Sequence, residues 1–244
     1  MCGRFTLRTP ATVLIEHFDL DVRGDRQMPL FEARYNIAPT QDILVVRADP
    51  IDGLRRADMM RWGLIPSWSK DAKGVSGPPM INARAETLAS KPMFRSAMRH
   101  RRCLVPADGF YEWQQTTGGG HRKKQPYFIH RPDHEPFAFA GLWEIWKQPT
   151  GQSSSEPLMI ESCTIVTTEA NAALRELHER MPVILAPSDY GNWLDPAEED
   201  SAHLQYLLSP CPHDELVADP VGDRVNRVAN DDIQCITVQH RLFD

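Results

Sequence analysis

Residues 102–114 of the chain read RCLVPADGFYEWQ. Branched aliphatic and aromatic side chains fill two runs, Arg102 to Pro106 and Phe110 to Gln114, and this composition favours extended strands. The two runs follow one another with only Ala107 to Gly109 between them. This part of the chain therefore predicts neighbouring strands, without the regular alternation of strand and helix that builds a doubly wound fold.

The rest of the chain extends this pattern. Further strands are predicted at Ile43 to Arg47, Tyr127 to His130, Ala138 to Ile145, Cys163 to Thr167, Val183 to Leu185 and Ile233 to Val238. Helices are predicted after Thr9 (as N-cap) and Pro10, and at Ala85 to Ser90, Pro92 to Arg99, Thr168 to Glu179 and Ser188 to Leu194, with another starting within Asp195 to Asp200. Loops are predicted at Thr116 to Gly120 and at Gln148 to Pro157. We therefore expect an α+β fold, with residues 1–244 forming a single domain around a mostly antiparallel, barrel-like β-sheet with flanking helices.

Charge is distributed unevenly along the 244 residues, whose net charge is −6. From Asp189 to Asp232 there are eleven acidic residues and two basic ones, so the remainder of the chain is net positive. The basic residues between Arg84 and Arg102 are Arg84, Lys91, Arg95, Arg99, Arg101 and Arg102, against Glu86 alone. This basic run indicates either a solvated helix face or a surface that follows phosphates, whose local field survives a negative total.

The composition also indicates the cellular compartment and whether a metal or cofactor is expected. No apolar run is long enough to span a membrane, and the N-terminus lacks the apolar stretch of a signal peptide, so we expect a cytoplasmic protein. Five widely spaced cysteines favour a reducing compartment over a disulfide framework, and we expect Cys103 and Cys163 to be buried core residues. The spacing of Cys211 with His213, or Cys235 with His240, matches no standard zinc pattern, so neither metal nor cofactor is expected.

Cys2 is the first candidate for chemistry, because its small side chain permits removal of Met1. An N-terminal cysteine carries an amine of pKa about 8 and a thiol of pKa about 8.5 on adjacent carbons. The amine can condense with an aldehyde to an imine, and the thiol can then close a five-membered thiazolidine ring. This pair of groups favours a stable adduct over turnover.

Five polar motifs accompany Cys2. They begin at Arg34 (RYNIAPT), Arg61 (RWGLIPSW), Ile81 (INARAET), Asp108 (DGFYEW) and His178 (HERMP). Together with the N-terminal MCGRF, and in this order, they resemble the SRAP (SOS response-associated peptidase) family. The resemblance runs from Cys2 to about Pro182, with a weaker match at Val225 and Asn226, while residues 188–244 carry no other motif that can be placed.

The resemblance implies a function and a set of site residues. The family's cysteine matches Cys2, which would form a thiazolidine with the ring-opened sugar of an abasic site in single-stranded DNA. Asn82, Glu112 and His178 match its other catalytic residues: an amide that positions the sugar, a buried carboxyl suited to proton transfer and an imidazole that moves a proton during ring opening. The matches to its DNA contacts are Arg4, Asn36, Pro39, Trp68, Arg84, Phe94 and Arg180.

Two other functions stay open at this point. In an N-terminal-nucleophile peptidase or amidohydrolase, Cys2 would attack a carbonyl with its own amine as the base. In a non-covalent reader of modified bases, Cys2 would be structural, and Cys2→Ser would be tolerated. The arginines and the stacking aromatic residues favour DNA, and we expect a monomer that associates with the nucleoid when it is bound to DNA.

Overall fold

The computed structural model describes residues 2–24, 27–72, 78–118, 121–149 and 158–239. Within these ranges the chain forms β1 (Phe5–Leu7), α1 (Ala11–Phe18), β2 (Arg34–Ile37), β3 (Asp42–Ala48), β4 (Arg55–Trp62), β5 (Asn82–Arg84), α2 (Pro92–His100), β6 (Arg102–Ala107), β7 (Gly109–Gly118), β8 (His121–His130), β9 (Phe137–Lys147), β10 (Met159–Glu169), β11 (Arg180–Pro182), β12 (Ile184–Leu185), α3 (Tyr190–Leu194) and β13 (Val217–Pro220). No helix in these ranges is long and apolar enough to cross a membrane.

The larger sheet closes on itself. Its strands run in the order β11-β10-β4-β3-β6-β9-β12, and β9 also pairs with β10, so that β10, β4, β3, β6 and β9 form a ring. Short β5 continues the edge of β10 beyond β4, in parallel register with Ile165 opposite Asn82. Closure removes the unpaired edges of the ring, which are the positions where an open sheet is prone to aggregate.

A second sheet packs against this ring and carries the N-terminus. Its order is β13-β8-β7-β1-β2, so the N-terminal strand β1 lies between β2 and β7. Phe5 of β1 lies opposite both Ile37 and Phe110. The Phe5 ring meets the rings of Trp62 and Phe139 edge-on, with centroids 5.2 and 5.9 Å apart, which joins the two sheets through the core.

The structure confirms the predicted fold class, an α+β domain around a mostly antiparallel, barrel-like sheet. The predicted strands within β3, β6, β7, β8, β9 and β10 are present, as are α1 and α2. In α1, Leu14 and Phe18 are buried, and in α2, Phe94, Ala97 and Met98 are buried. Cys103 and Cys163 lie in the core as expected.

Several predicted features are wrong, and local side-chain hydrogen bonds give the reason. Residues 172–177 form turns rather than a helix; the amide oxygen of Asn171 accepts from the Leu174 backbone nitrogen at 3.1 Å. Ile233–Ile236 is a 3-10 helix rather than a strand, because the Asp232 carboxylate caps it by accepting from the Gln234 nitrogen. Thr9 does not cap α1, since its hydroxyl bonds to Asp108.

Three further boundaries differ from the prediction. The helix predicted from Ala85 is only a 3-10 turn, Ala85–Thr87. No helix starts within 195–200, where the carbonyl oxygens of Asp195 and Glu198 accept hydrogen bonds from the Arg102 guanidinium. Strand β7 continues through Gly118, so residues 116–118 are not loop; residues 119–120 and 150–157 of the two predicted loops lie outside the described residues.

Candidate active site and nucleic-acid interface

The position of Cys2 follows from the pairing of β1 with β7. The Tyr111 backbone nitrogen donates to the Arg4 carbonyl oxygen at 3.0 Å, which extends the ladder toward the N-terminus. Cys2 is fully buried, and its thiol lies 3.8 Å from the same Arg4 oxygen. The N-terminal residue of the proposed chemistry is therefore held by sheet hydrogen bonds and does not extend freely into solvent.

Asn82 contacts Cys2 directly. It begins β5, and its side-chain nitrogen donates to the Cys2 carbonyl oxygen at 2.8 Å. Its side-chain oxygen is buried and has no hydrogen-bond partner among the described residues. Because buried polar atoms are nearly always bonded, this oxygen is an acceptor available to a ligand or to a group on Cys2.

Glu112 lies on β7 among aromatic neighbours and is buried. Burial raises the pKa of this carboxyl above its ordinary value, and the charge on His178 opposes that rise. The pKa of the Cys2 thiol is also raised, first by burial and then by the negative charge of Glu112. Glu112 therefore lies within electrostatic range of Cys2 and His178, two of the residues predicted to share its site.

His178 does not end a helix; it lies in the turn before β11. Its Nδ1 accepts a hydrogen bond from the Arg180 backbone nitrogen at 2.9 Å. In the neutral ring the hydrogen must then be on Nε2, since an atom that accepts from an amide cannot also carry a proton. The backbone thus fixes one tautomer and leaves Nε2–H as a donor.

The fold brings these four predicted catalytic residues together from separate parts of the chain. Cys2 precedes β1, Asn82 begins β5, Glu112 is on β7 and His178 is in the turn before β11. The Asn82–Cys2 hydrogen bond is a direct contact, and Glu112 lies near enough to Cys2 for its charge to raise the pKa of the thiol. An amide bonded to a cysteine, with a carboxyl nearby that also interacts with an imidazole, is an arrangement typical of an active site.

The predicted phosphate-binding arginines differ in their surroundings. Arg84 is exposed at the end of β5, and Arg4 is half-buried near Cys2. Arg180 is buried: its guanidinium donates to both carboxylate oxygens of Glu86, at 2.6 and 3.1 Å, and to the Thr167 carbonyl oxygen at 2.6 Å. The Arg180 guanidinium is therefore already paired with a carboxylate and is not an unpaired cation that awaits a phosphate.

The predicted DNA-contacting residues without charge also separate into two groups. Trp68 is exposed, with 61% of its surface accessible, and Pro39 is partly exposed. Phe94 is buried in the core on α2, so its ring presents no face to a base. Asn36 is fully buried, and every side-chain hydrogen bond it makes is internal. Trp68 and Pro39 alone of these four have surface available for stacking.

Only part of the basic run is free to meet phosphate. Arg102 is buried, and its guanidinium donates to five backbone carbonyl oxygens, those of Met98, Arg99, Trp193, Asp195 and Glu198. Arg99 pairs with Glu199 at 3.0 Å and Arg101 with Glu144 at 2.9 Å. The acidic segment of the chain thus partly neutralises the basic run. The sequence pattern could not distinguish arginines with such internal partners from arginines that bind phosphate.

An open cleft of about 510 Å³ lies beside Gly3 and Arg4, the two residues that follow Cys2 in the chain. Its lining comprises Gly3, Arg4, Pro39, Trp113, Lys124 and Asn226. The predicted site residues did not include Trp113, Lys124 and Asn226. The signal for Trp113 was its place directly after Glu112 in the DGFYEW motif, and the signal for Asn226 was its isolated match near the C-terminus.

A second cavity, of about 350 Å³, lies away from this site. Its charged walls are internally paired: Arg47 bonds to Asp58 and Glu161, and Arg56 bonds to Asp49. The Arg47 guanidinium also lies 4.5 Å from the centre of the Trp143 ring. Among the described residues no group of His, Cys, Asp or Glu could hold a metal ion.

These features define a class of protein in which a buried cysteine near the start of the chain lies close to an open, partly basic cleft. The sequence profile of the SOS response associated peptidase (SRAP) family matches residues 1–228, and the chain belongs to that family. The match extends well beyond the motifs that end at Pro182.

Relatives cover almost the whole chain. It is 41% identical over 239 residues to the abasic site processing protein YoqW of Bacillus subtilis (strain 168), spanning 97% of this chain and 99% of the relative. It is 31% identical over 241 residues to the abasic site processing protein YedK of Escherichia coli (strain K12), spanning 97% and 99%. With abasic site processing protein HMCES of Gallus gallus it shares 34% identity over 270 residues, spanning 97% and 77%.

Solved structures show the same fold. A crystal structure of a protein from Bacteroides thetaiotaomicron superposes with a TM-score of 0.80 at 23% identity, covering 98% of this chain and all of that one. A second, from Bordetella bronchiseptica, has a TM-score of 0.73 at 28% identity, covering 91% and 100%.

Proposed function

We propose that this protein processes abasic sites in DNA by forming a covalent adduct through Cys2 after Met1 has been removed. Relatives that match nearly the full chain carry the name abasic site processing protein. The observation that carries the mechanistic part is the convergence on Cys2: Asn82 holds its carbonyl oxygen, while Glu112 acts on its thiol.

The adduct would form in two steps. An abasic deoxyribose is in equilibrium with an open-chain aldehyde, and the amine of Cys2 attacks that carbonyl carbon. Loss of one water gives an imine. The thiol then adds across the carbon–nitrogen double bond, with sulfur bonding to carbon and the thiol proton passing to nitrogen, to give a thiazolidine. Burial raises the pKa of the Cys2 thiol, which favours the neutral thiol and supports attack by the amine before the thiol.

Each neighbour has a role that fits its surroundings. Glu112, with its pKa raised by burial, exchanges protons with the amine and the departing water. The Nε2–H of His178 donates to the sugar oxygen as the ring opens. The free side-chain oxygen of Asn82 accepts from the amine of Cys2 and directs its lone pair at the aldehyde.

Single-stranded DNA is the substrate form that suits the surface. Arg4 and Lys124 line the cleft beside Cys2, and Arg84 is exposed at the end of β5. Trp68 and Pro39 offer apolar surface for bases, whose faces are accessible only in a single strand. One chain supplies every residue of the proposed site, in keeping with action as a monomer at the chromosome.

The same site also suits hydrolysis of the Met1–Cys2 bond. The family carries the description of a peptidase, and Glu112 lies where it acts on the Cys2 thiol. Addition of water to the Met1 carbonyl would release methionine and leave the free amine that the adduct requires. Self-processing is therefore a preparatory reaction of the proposed site.

A denaturing gel tests the proposal. Mature protein is incubated with a single-stranded oligonucleotide carrying one abasic site, and with a matched one carrying a tetrahydrofuran analogue that cannot open to an aldehyde. We expect a slow-migrating band with the first alone, and its mass should equal protein without Met1 plus DNA minus one water. Cys2→Ala should abolish the band, and Cys211→Ala, at a buried cysteine that is not one of the proposed site residues, should preserve it. A stable band with Cys2→Ala would exclude the thiazolidine.

A further inference from the structure

The cleft beside Cys2 has one wall from the far end of the chain. Residues 225–231, termed here the C-terminal segment, lie against β1 and β2. The Arg4 guanidinium donates to the Val225 carbonyl oxygen at 2.9 Å. The Trp113 ring nitrogen donates to the Asn226 side-chain oxygen at 2.7 Å, and Arg4, Trp113 and Asn226 all line the cleft.

Asn36 makes most of the hydrogen bonds that connect the C-terminal segment to β2 and Arg4. Its side-chain oxygen accepts from Arg4 Nη1 at 2.9 Å. Its side-chain nitrogen donates toward the carbonyl oxygens of Val225, Arg227 and Asn230, at 3.1, 3.0 and 2.7 Å. Asn36 is fully buried, and an amide has only two hydrogens and one oxygen to offer. These contacts occupy the whole side chain, which leaves nothing with which to contact DNA.

A second side chain ties the C-terminal segment to the same strand. The Asp231 carboxylate accepts from the backbone nitrogens of Tyr35 and Asn36, at 2.5 and 2.8 Å, and pairs with Arg34. Strand β2 thus binds the segment from both its backbone and the Asn36 side chain. Arg4 is bonded to β2 and to the segment at once, and therefore has a fixed direction only while the segment is in place.

We propose that Asn36 is a positioning residue for DNA capture, which aligns Arg4 by fastening the C-terminal segment as a wall of the cleft. The inference rests on the proposed function and corrects the expectation that Asn36 itself touches DNA. A guanidinium that is already oriented loses less side-chain entropy when it binds phosphate, so its alignment contributes to affinity. The reacting groups at Cys2 are not altered.

Crosslinking kinetics at increasing DNA concentration separate affinity from chemistry. The variants are Asn36→Ala, Arg4→Ala and the double variant, with adduct formation measured under single-turnover conditions. We expect each single variant to raise the half-saturating DNA concentration about tenfold or more, with the maximal rate within about threefold of wild type. The double variant should be no weaker than Arg4→Ala, because both changes remove one interaction.

A second pair of variants guards against loss of folding. Asp231→Ala releases the C-terminal segment while leaving the side chains of Asn36 and Arg4 intact, and should also raise the half-saturating concentration. Asp232→Ala is the matched control, since Asp232 pairs with Arg224 and contacts neither Asn36 nor Arg4. It should leave the half-saturating DNA concentration unchanged.

The outcomes distinguish this inference from the proposed function. If wild type forms no adduct, the proposed function fails, and fluorescence anisotropy with intact single-stranded DNA still measures the coupling of Asn36 to Arg4. If wild type forms the adduct but folded Asn36→Ala and Asp231→Ala bind like wild type, the positioning role is wrong. Additive losses in the double variant would also overturn it, because they would mean that Asn36 acts independently of Arg4.

Discussion

The side-chain nitrogen of Asn82 donates to the carbonyl oxygen of Cys2 at 2.8 Å, and this hydrogen bond fixes Cys2 relative to β5. Strand β5 is itself held in parallel register by β10, with Asn82 opposite Ile165. The orientation of Cys2 therefore depends on β5 and β10 of the larger sheet, not only on the smaller sheet that begins next to Cys2.

Asn82→Ala should slow adduct formation by about 100-fold, because loss of a positioning contact near reacting atoms costs on that order. Binding of intact single-stranded DNA should stay within about threefold of wild type. Single-turnover crosslinking and anisotropy measure the two quantities. Asn192→Ala, which removes an exposed amide bonded only to Tyr206, serves as the control. Equal losses of rate and affinity in Asn82→Ala would assign it to DNA binding instead.

Glu112→Gln should lower the maximal rate of adduct formation about 10²–10⁴-fold, the range for a positioned acid or base. It should also change stability with pH. Because burial raises the folded-state pKa of Glu112, the wild type is favoured when this carboxyl is protonated and loses that stability as pH rises through the folded pKa. The glutamine variant should therefore melt higher than wild type at pH 8, with the difference shrinking at pH 5. A difference that grows on acidification would contradict this assignment.

Arg84 and Trp68 should respond differently to salt. On a single strand each phosphate contact contributes about −0.7 to the slope of log affinity against log salt. Arg84→Gln should flatten that slope by about one contact. Trp68→Ala should lower affinity by about 1–3 kcal/mol with little change in slope, because stacking releases few counterions. Arg131→Gln, at a site already paired with Asp133 and Glu215, is the control. Fluorescence anisotropy measures DNA affinity across a series of salt concentrations. A wild-type affinity that does not change with salt would exclude phosphate contacts.

Arg180→Gln should act on stability rather than on the salt slope. Its guanidinium is held by Glu86 and by the Thr167 carbonyl oxygen, so replacement leaves a buried acceptor poorly bonded and costs about 1–3 kcal/mol. Chemical denaturation measures the loss. Glu86→Gln, which keeps an acceptor for Arg180, should cost less. A slope change with Arg180→Gln as large as that of Arg84→Gln would show that phosphate displaces Glu86.

Arg102→Met should destabilise the protein by about 3 kcal/mol or more, since five backbone carbonyl oxygens lose a charged donor. Arg99→Gln removes an exposed pair with Glu199 and should cost less than about 1 kcal/mol. Urea denaturation of both variants gives the comparison. Similar small losses would mean that water replaces the Arg102 donor without penalty.

Sequence alone predicted most of the ring, because apolar runs such as those of β6, β9 and β10 carry their own strand signal. Strand β4 was missed, since Arg56 and Asp58 break the apolar alternation and are accommodated by pairs with Asp49 and Arg47. The false helix after Thr168 had a helical composition, but Thr168 itself pairs in register with Met181 on β11. Strand pairing of this kind depends on residues distant in sequence.

The candidate site, like the fold, was only partly predictable from the sequence. Cys2, Asn82, Glu112 and His178 were predicted from motifs, and the fold brings them together. The burial of Phe94 and the internal bonds of Asn36 could not be read from motifs, because they depend on packing against α2 and on residues 225–231. A motif identifies a residue that matters without stating whether it meets a ligand or another part of the chain.

The partners of β1 also determine when the N-terminus becomes buried. During synthesis at about 5–20 residues per second, the β7 segment opposite Phe5 is made roughly 5–20 s after the first residues, and residues 225–231 follow later. Until then Cys2 lacks the sheet partners that bury it, and the start of the chain would be open to an aminopeptidase of the cell. A chain refolded from denaturant buries Cys2 without that interval, so under the proposed function its Met1 would have to be removed by the site itself.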